Sequence, residues 1–311
     1  MLIAAPAPSD TLRVSVVIPH LNQPEALAHC LASLRNGRRV PDEVIVVDNG
    51  STALPDRICA AHGARLLSEA TPGPGPARNA GAAAATGDIV AFIDADCIAD
   101  RDWLAVMAER FATDPAAQIL GGAVHIACGD PGRPTALEAY ESVFSFRMDL
   151  YLRDKGFTGT GNLGLRTPVL AAVGPFAGLD VAEDRDWCHR ATAAGHAIHH
   201  VPGMIVLHPA RPGFAELAAK HDRALAHDFA AVGAGGVPAR LRWAAKAVAL
   251  PLSPLAELPQ ILTTTRLTGP RARLLAFAML LRVRSHRSWR MLRLLAGQDP
   301  AALSGRWNRQ D

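Results

Sequence analysis

The chain has 311 residues, 49% apolar and 20% charged. That balance excludes disordered, fibrous and collagen-like chains and suits one large α/β domain plus an appendage. Five cysteines, Cys30, Cys59, Cys97, Cys128 and Cys188, are scattered without a C-x-x-C pair, which argues against a disulfide scaffold or a zinc ribbon.

VSVVIP (14–19) is a continuous apolar, β-branched run ending in proline, which predicts a parallel strand buried on both faces. EALAHCLASL (25–34) has helical spacing at Leu27, Cys30, Leu31 and Leu34. EVIVVD (43–48) reads as a second buried strand closed by the turn NGS. RICAAHGARLLSE reads as a short helix and a strand, and PGPGPARNAGAAAATG (72–87) as a Gly/Pro loop entering an Ala-rich helix. DIVAFID (88–94) is a third buried strand. This alternation predicts right-handed crossovers and a mostly parallel central sheet flanked by helices.

Beyond residue 100 the pattern changes. WLAVMAERF (103–111) reads as a helix, ILGGAVHIA (119–127) as a strand and LEAYESVFSFRMDLYL (137–152) as helical. GTGNLGLRT (159–167) is Gly-rich and strand-like, and VLAAVGPF (169–176) ends in a Gly-Pro stop. EDRDWCHRATAAG (183–195) is a helix with acids at its start and Gly195 at its end, as the helix dipole favours. HAIHHVPGMIVLH (196–208) alternates like a strand pair.

The chemistry concentrates at strand ends. In FIDADC, Asp94 and Asp96 follow a buried strand, where ligands of open α/β sheets bind. Two carboxylates at i and i+2 point the same way and repel, and Mg²⁺ or Mn²⁺ would relieve that while bridging to phosphate. Solvated acids in a turn are the simpler alternative. Asp48 and Asn49 end the second strand at the same edge and can accept from a base or a ribose, or merely form an Asx turn. PGPGPARNAG offers amides at a helix start, and Arg78 adds a cation for a diphosphate, although neither the P-loop nor G-x-G-x-x-G is present. Glu183 and Asp184 open a helix and can take a proton from a hydroxyl, or simply complement the dipole. Trp187, one turn on, can face a sugar or fill the core. His208 ends an apolar strand and is a metal ligand or merely a polar residue beside His199 and His200.

Taken in order, VSVVIPHLNQPEALAHCLASL, DEVIVVDNGS, GPGPARNAGAAAATGDIVAFIDADC, GTGNLGLRTPVLAAVGPF, EDRDWCHRATAAG and VLH resemble a family 2 glycosyltransferase of the GT-A fold, over roughly residues 13–210. The resemblance implies an inverting enzyme that uses a nucleoside diphosphate sugar donor and Mn²⁺ or Mg²⁺. It places Pro19 and Asp48 at the nucleobase and Arg78 near the nucleotide. Asp94 and Asp96 become the metal-and-ribose pair, Asp96 the direct ligand, with His208 also reaching the metal. Asp184 becomes the general base supported by Glu183, and Gly161 and Asn162 the acceptor-side segment. Two features depart from the family: His20 and Leu21 follow the proline where many members carry small, polar or aromatic residues, and no Q-x-x-R-W follows the acidic pair, which disfavours a processive synthase.

The expected organisation is a tail (1–12), a catalytic domain (13–212, with a nucleotide-sugar half 13–100 and an acceptor half 101–212) and a basic helical C-terminal region (213–311). The net charge of +3 hides an asymmetry. Residues 239–311 hold 13 Lys/Arg against Glu257, Asp299 and Asp311, whereas 1–238 hold 19 basic and 26 acidic residues. RARLLAFAMLLRVR is flanked by arginines, as interfacial helices are, so peripheral contact with an anionic membrane through 239–311 is expected; a helix packed on the domain gives a similar pattern. MLIAAPAPSDTLR has no secretory signal pattern, so the expected location is cytoplasmic, peripheral at the inner face of the plasma membrane. The acceptor can be a glycan, a lipid-linked or a small molecule, in cell-envelope glycan or glycolipid assembly; no nucleic acid is expected. Two other functions fit the residues less well: nucleotidyl transfer to a sugar phosphate, and a non-catalytic membrane-surface adaptor.

Overall fold

The computed structural model describes residues 12–179, 181–234 and 236–300. The N-terminal tail other than Leu12, and the last eleven residues of the basic region, lie outside the described residues. The elements run β1 (Val14–His20), α1 (Pro24–Arg35), β2 (Glu43–Asp48), α2 (Asp56–Ala61), β3 (Arg65–Ser68), α3 (Pro74–Ala84), β4 (Ile89–Ile93), β5 (Ile98–Ala99), α4 (Trp103–Thr113) and β6 (Ile119–Ala127). Next come α5 (Ala136–Phe144), α6 (Met148–Lys155), β7 (Asn162–Arg166), α7 (Thr167–Val173), α8 (Glu183–Ala193) and β8 (Ile198–Pro209). The chain continues through α9 (Phe214–Ala234), α10 (Gly236–Ala249), a 3-10 helix (Leu250–Glu257), α11 (Leu258–Thr263) and α12 (Gly269–Leu295).

The chain divides into two compact units. One comprises residues 1–125 and 146–209, the other 126–145 and 210–311. Residues 126–145, expected in the acceptor half, group with the C-terminal helices. Nothing in the local sequence marks that exchange, because α5 is chosen by what it packs against: Ala139, Tyr140 and Val143 share a core with Leu217, Ile261, Ala276 and Leu280.

In the first unit an eight-stranded sheet runs in the order β3-β2-β1-β4-β7-β6-β8-β5. β3, β2, β1 and β4 are parallel, while β4–β7, β7–β6 and β8–β5 are antiparallel. Alternate side chains of β1 serve two faces, as the strand period of two requires. Val14, Val16 and Ile18 pack with α1 and α4; Val17 packs with Ala77 of α3 and Trp187 of α8. Two covered faces explain why these strands read as unbroken apolar runs. Gly81 lets α3 approach: a Cβ there would lie 2.4 Å from Val17 Cγ1. Two expectations change in detail. The 137–152 helix is broken at Phe146, whose φ is +51°. Residues 198–209 form one strand rather than a pair, since β8 finds its partners in β5 and β6 and not in itself.

Candidate functional site

Sheet register brings the acidic residues together within the first unit. His20 lies directly opposite Asp48 across β1 and β2. Its Nδ1 is 2.9 Å from Asp48 Oδ1, and both side chains are buried. Gln23 N–H donates to His20 Nε2 at 3.2 Å, so the ring proton sits on Nδ1 and is donated to the carboxylate. Asp48 Oδ2 accepts the backbone N–H groups of Gly50 and Ser51. Burial pushes the Asp48 carboxyl up, but hydrogen bonds from Ser51 and His20 outweigh it and hold it below the usual carboxylate range. Pro19, beside His20, is half-buried opposite Val47.

β4 ends at Ile93, opposite Asn162 of β7. The next residue, Asp94, therefore falls against Gly161, where a Cβ would stand 2.5 Å from Asp94 Oδ2. Only hydrogen fits there. Four residues on, β5 pairs with β8 in the register Ile98↔Leu207, which carries His208 to Asp96 across 112 positions of sequence. His208 Nδ1–H donates to the Pro209 carbonyl at 2.7 Å, which turns Nε2 toward Asp96 Oδ2 at 3.5 Å. A cation between the two would be held by both. Burial raises the Asp96 carboxyl above its usual value; His208 opposes the rise and Asp94 adds to it. Carboxylate oxygens with one imidazole form a hard donor set that fits Mg²⁺ or Mn²⁺. Cys97 has a ligand atom within 4.8 Å of those of Asp94 and Asp96. Burial drives its thiol well above the usual value, and a soft sulfur suits these hard ions poorly.

Arg78 joins the two acidic pairs. Its Nη2 donates to Asp94 at 2.7 Å and its Nη1 to Glu183 at 2.9 Å, and the residue is 3% exposed. Desolvation pulls its pKa down, but Asp94 and Glu183 more than reverse this, so the cation is firmly held. Asp184 follows Glu183 in the first turn of α8 and, among the described residues, accepts the Arg185 N–H alone, at 2.7 Å. Burial raises its carboxyl, and Glu183 adds to the rise.

Four expected site residues take other places. Arg78 is occupied by two carboxylates and is no free cation for a diphosphate. Asn49 ties the β2 edge to the loop after β3, donating to the Glu69 and Thr71 carbonyls and accepting from Gly73 N–H. Asn162 is buried; it accepts from Trp103 Nε1 and donates to the Ala123 and Met204 carbonyls, so it holds α4, β6, β7 and β8 rather than an acceptor. Trp187 is fully buried, donates to the Gly174 carbonyl and stacks on Phe176, so it presents no face to a sugar. Pro19, Asp48, Asp94, Asp96, Gly161, Glu183, Asp184 and His208 stay at or beside the strand ends. His20 was legible only as a departure. Its position opposite Asp48 follows once β1 and β2 are set in parallel register.

The family model described as "Glycosyl transferase family 2" matches residues 15–180. Glycosyltransferase AglE of Haloferax volcanii is 33% identical over 222 residues, 68% of this chain and 71% of that protein. The pre-mycofactocin glycosyltransferase of Mycobacterium tuberculosis is 32% identical over 64% of this chain, which spans 43% of that protein. Among solved structures, glucosyl-3-phosphoglycerate synthase from Mycobacterium tuberculosis, in complex with Mn²⁺, uridine diphosphate and glucosyl-3-phosphoglycerate, aligns with a TM-score of 0.50 and 25% identity over 69% of this chain and 78% of that one. The same synthase has also been solved with Mg²⁺ and uridine diphosphate.

Proposed function

Because the chain belongs to glycosyl transferase family 2, we propose that this glycosyltransferase moves a sugar from a nucleoside diphosphate sugar to an acceptor hydroxyl with inversion at the anomeric carbon. The observation that carries the reading is Arg78, which fastens Asp94 to Glu183 and so sets the DAD carboxylates beside the acidic pair of α8. Asp48 and Pro19 meet the nucleobase, Asp48 accepting a base N–H. Asp96, Asp94 and His208 would hold Mn²⁺ or Mg²⁺, and the same ions in the aligned synthase support that choice. When bound, the ion supplies positive charge against the departing diphosphate. Asp184 takes the proton from the acceptor hydroxyl, and its raised pKa makes it a better base than an exposed aspartate. Glu183 keeps Arg78 in place and adds negative charge beside Asp184.

Uridine diphosphate sugars are the first donors to test, since the aligned synthase binds uridine diphosphate. The acceptor is a glycan, lipid-linked or small-molecule hydroxyl. The basic C-terminal region favours one borne on a membrane, in cell-envelope glycan or glycolipid assembly at the inner face of the plasma membrane. No helix among the described residues is long and apolar enough to cross a membrane.

A donor panel incubated with Mn²⁺ and no acceptor tests the reaction through slow transfer to water. Release of nucleoside diphosphate supports it; release of pyrophosphate would assign nucleotidyl transfer instead. Lipid binding with no nucleotide affinity would leave the adaptor reading. Asp184→Asn and Asp96→Ala should each lower turnover by at least ~10²-fold. Near-normal turnover in Asp184→Asn would overturn the base assignment.

A further inference from the structure

Large apolar side chains are unevenly exposed. Among the described residues fifteen are exposed, and ten of them lie between Val237 and Leu292 in the second unit. Exposed residues of this kind scattered singly need no explanation, but a contiguous stripe does.

α12 displays such a stripe. Leu274 (67% exposed), Leu281 (41%), Trp289 (47%) and Leu292 (42%) fall within an arc of about 80° at 3.6 residues per turn. Exposed Ala278, Ser285 and Ala296 fill the gaps between them. The stripe extends over about 27 Å at 1.5 Å per residue. The opposite side of the same helix is already used: Ala276, Met279, Val283 and Leu294 are buried in the core of this unit. α12 is thus apolar on two sides, and among the described residues only one of them is packed.

One flank of the stripe is cationic. Arg271, Arg282 and Arg293 are exposed and follow each other at three-turn intervals. None of the three has an acidic partner within ion-pair distance among the described residues. Arg293 and Arg290 lie over the Trp289 ring, at 5.2 and 4.6 Å from its centre. α10, which packs on α12, also exposes Val237, Leu241 and Val248 on one side, and its Arg240, Arg242 and Lys246 are exposed. Glu257 and Asp299 are the only acids of residues 236–300, and Glu257 is taken by Arg284.

We propose that the outer face of α12, with Leu274, Leu281, Trp289 and Leu292 at its centre and Arg271, Arg282 and Arg293 at its edge, docks flat on a bilayer rich in anionic phospholipid. The charge pattern selects this occupant. A two-fold contact with a second copy would set this stripe on itself and bring like arginines together. Phosphate headgroups instead receive the guanidinium groups while the leucines and Trp289 enter the acyl boundary. The inference rests on the membrane-contact reading above and names the face and the lipid class that serve it.

The test is co-sedimentation of the full chain with vesicles of phosphatidylcholine alone and of phosphatidylcholine with phosphatidylglycerol, with Trp289 emission followed in parallel. The full chain is expected to bind the mixed vesicles and not the neutral ones, and its emission to shift to the blue; Trp289→Phe should remove most of that shift. Arg282→Gln with Arg293→Gln should weaken binding roughly thirtyfold, and Leu281→Glu with Leu292→Glu should abolish it, with thermal midpoints unchanged. If these variants bind as the parent does, the face is wrong while membrane contact survives. If the parent binds neither vesicle, both fall. A parent that is a dimer in solution and becomes monomeric in Leu281→Glu with Leu292→Glu would give the stripe to a second copy and overturn the proposal.

Discussion

Arg78 Nη2 and Asp94 Oδ1 meet at 2.7 Å, and the other arm of the same buried guanidinium reaches Glu183. One cation thereby bridges carboxylates that stand 16 and 105 positions away along the chain. Arg78→Met removes it and leaves carboxylates facing one another. Breaking a buried ion pair from one side costs ~3–5 kcal/mol; here the carboxylates are partly exposed, so a loss of about 3 kcal/mol is expected from urea unfolding. Arg78→Lys keeps the charge but cannot fork to two acceptors. It should recover most of the stability and little of the turnover, and full turnover in that variant would show that bridging is dispensable.

Asp184 links activity and stability with opposite signs. Burial places its carboxyl above the usual aspartate value. As a base it must be ionised, so the acid limb of kcat/KM is expected above ~3.9, the ordinary aspartate pKa. Glu183→Gln withdraws a negative charge that raises Asp184 and frees Arg78, which lowers it, so the limb should move to lower pH. For stability, a carboxyl raised on folding penalises the native state at pH above its folded pKa. The penalty fades as pH falls through that value and is absent below the unfolded one. Asp184→Asn should therefore be inactive yet at least as stable as the parent at pH 7, with the difference disappearing at acid pH.

The His20–Asp48 pair makes a different forecast. The carboxyl of Asp48 is held low by its donors, so the stability it brings is present above the unfolded pKa and is lost as pH falls through the folded one. His20→Ala removes one donor to a buried carboxylate, at about 2 kcal/mol. Denaturation should show that cost at pH 7 and little of it at acid pH. If Asp48 reads the nucleobase, KM for the donor should rise in this variant while kcat changes less. An unchanged donor KM would separate His20 from recognition.

His208 tests the cation site. Nε2 faces Asp96 because Nδ1–H is committed to the Pro209 carbonyl. His208→Ala should raise the Mn²⁺ concentration for half-maximal activity at least ~tenfold, and a chelator should abolish activity in both proteins. Titration of Mn²⁺ in the presence of uridine diphosphate reads the same change without turnover.

The parallel half of the fold was legible because strands buried on both faces leave unbroken apolar runs, as β1, β2 and β4 do. The acids at their ends could be placed as soon as the order of the strands was known. β5, two residues long, has no pattern to read, yet it is what carries His208 to Asp96. Arg78 looked like an anion binder because its sequence neighbours are glycines and prolines; its true partners are distant. Asn162 and Trp187 carry polar groups that suit a ligand equally well, and only the carbonyls around them show that those groups are already satisfied. The exchange of residues 126–145 into the C-terminal unit depends wholly on packing partners and had no local signal.

Gly161 offers the sharpest test of geometry. A methyl group at this position would sit 3.0 Å from Asp94 Cγ and 2.5 Å from its Oδ2, the latter closer than real contacts allow. Asp94 cannot yield freely, since Arg78 holds its other oxygen. Gly161→Ala must then displace the carboxylate, or the β7 edge, by a few tenths of an ångström or more. A 1 Å misplacement can cost ~10²-fold in rate, and a loss approaching that is expected in kcat. Stability should change little, because the clash falls at the half-buried end of β7 and not in the core. The double variant Gly161→Ala with Asp94→Ala removes the clash together with the carboxylate. It should be no less active than Asp94→Ala alone, whereas a further large drop would show that Gly161 serves the reaction by some route other than making room for Asp94.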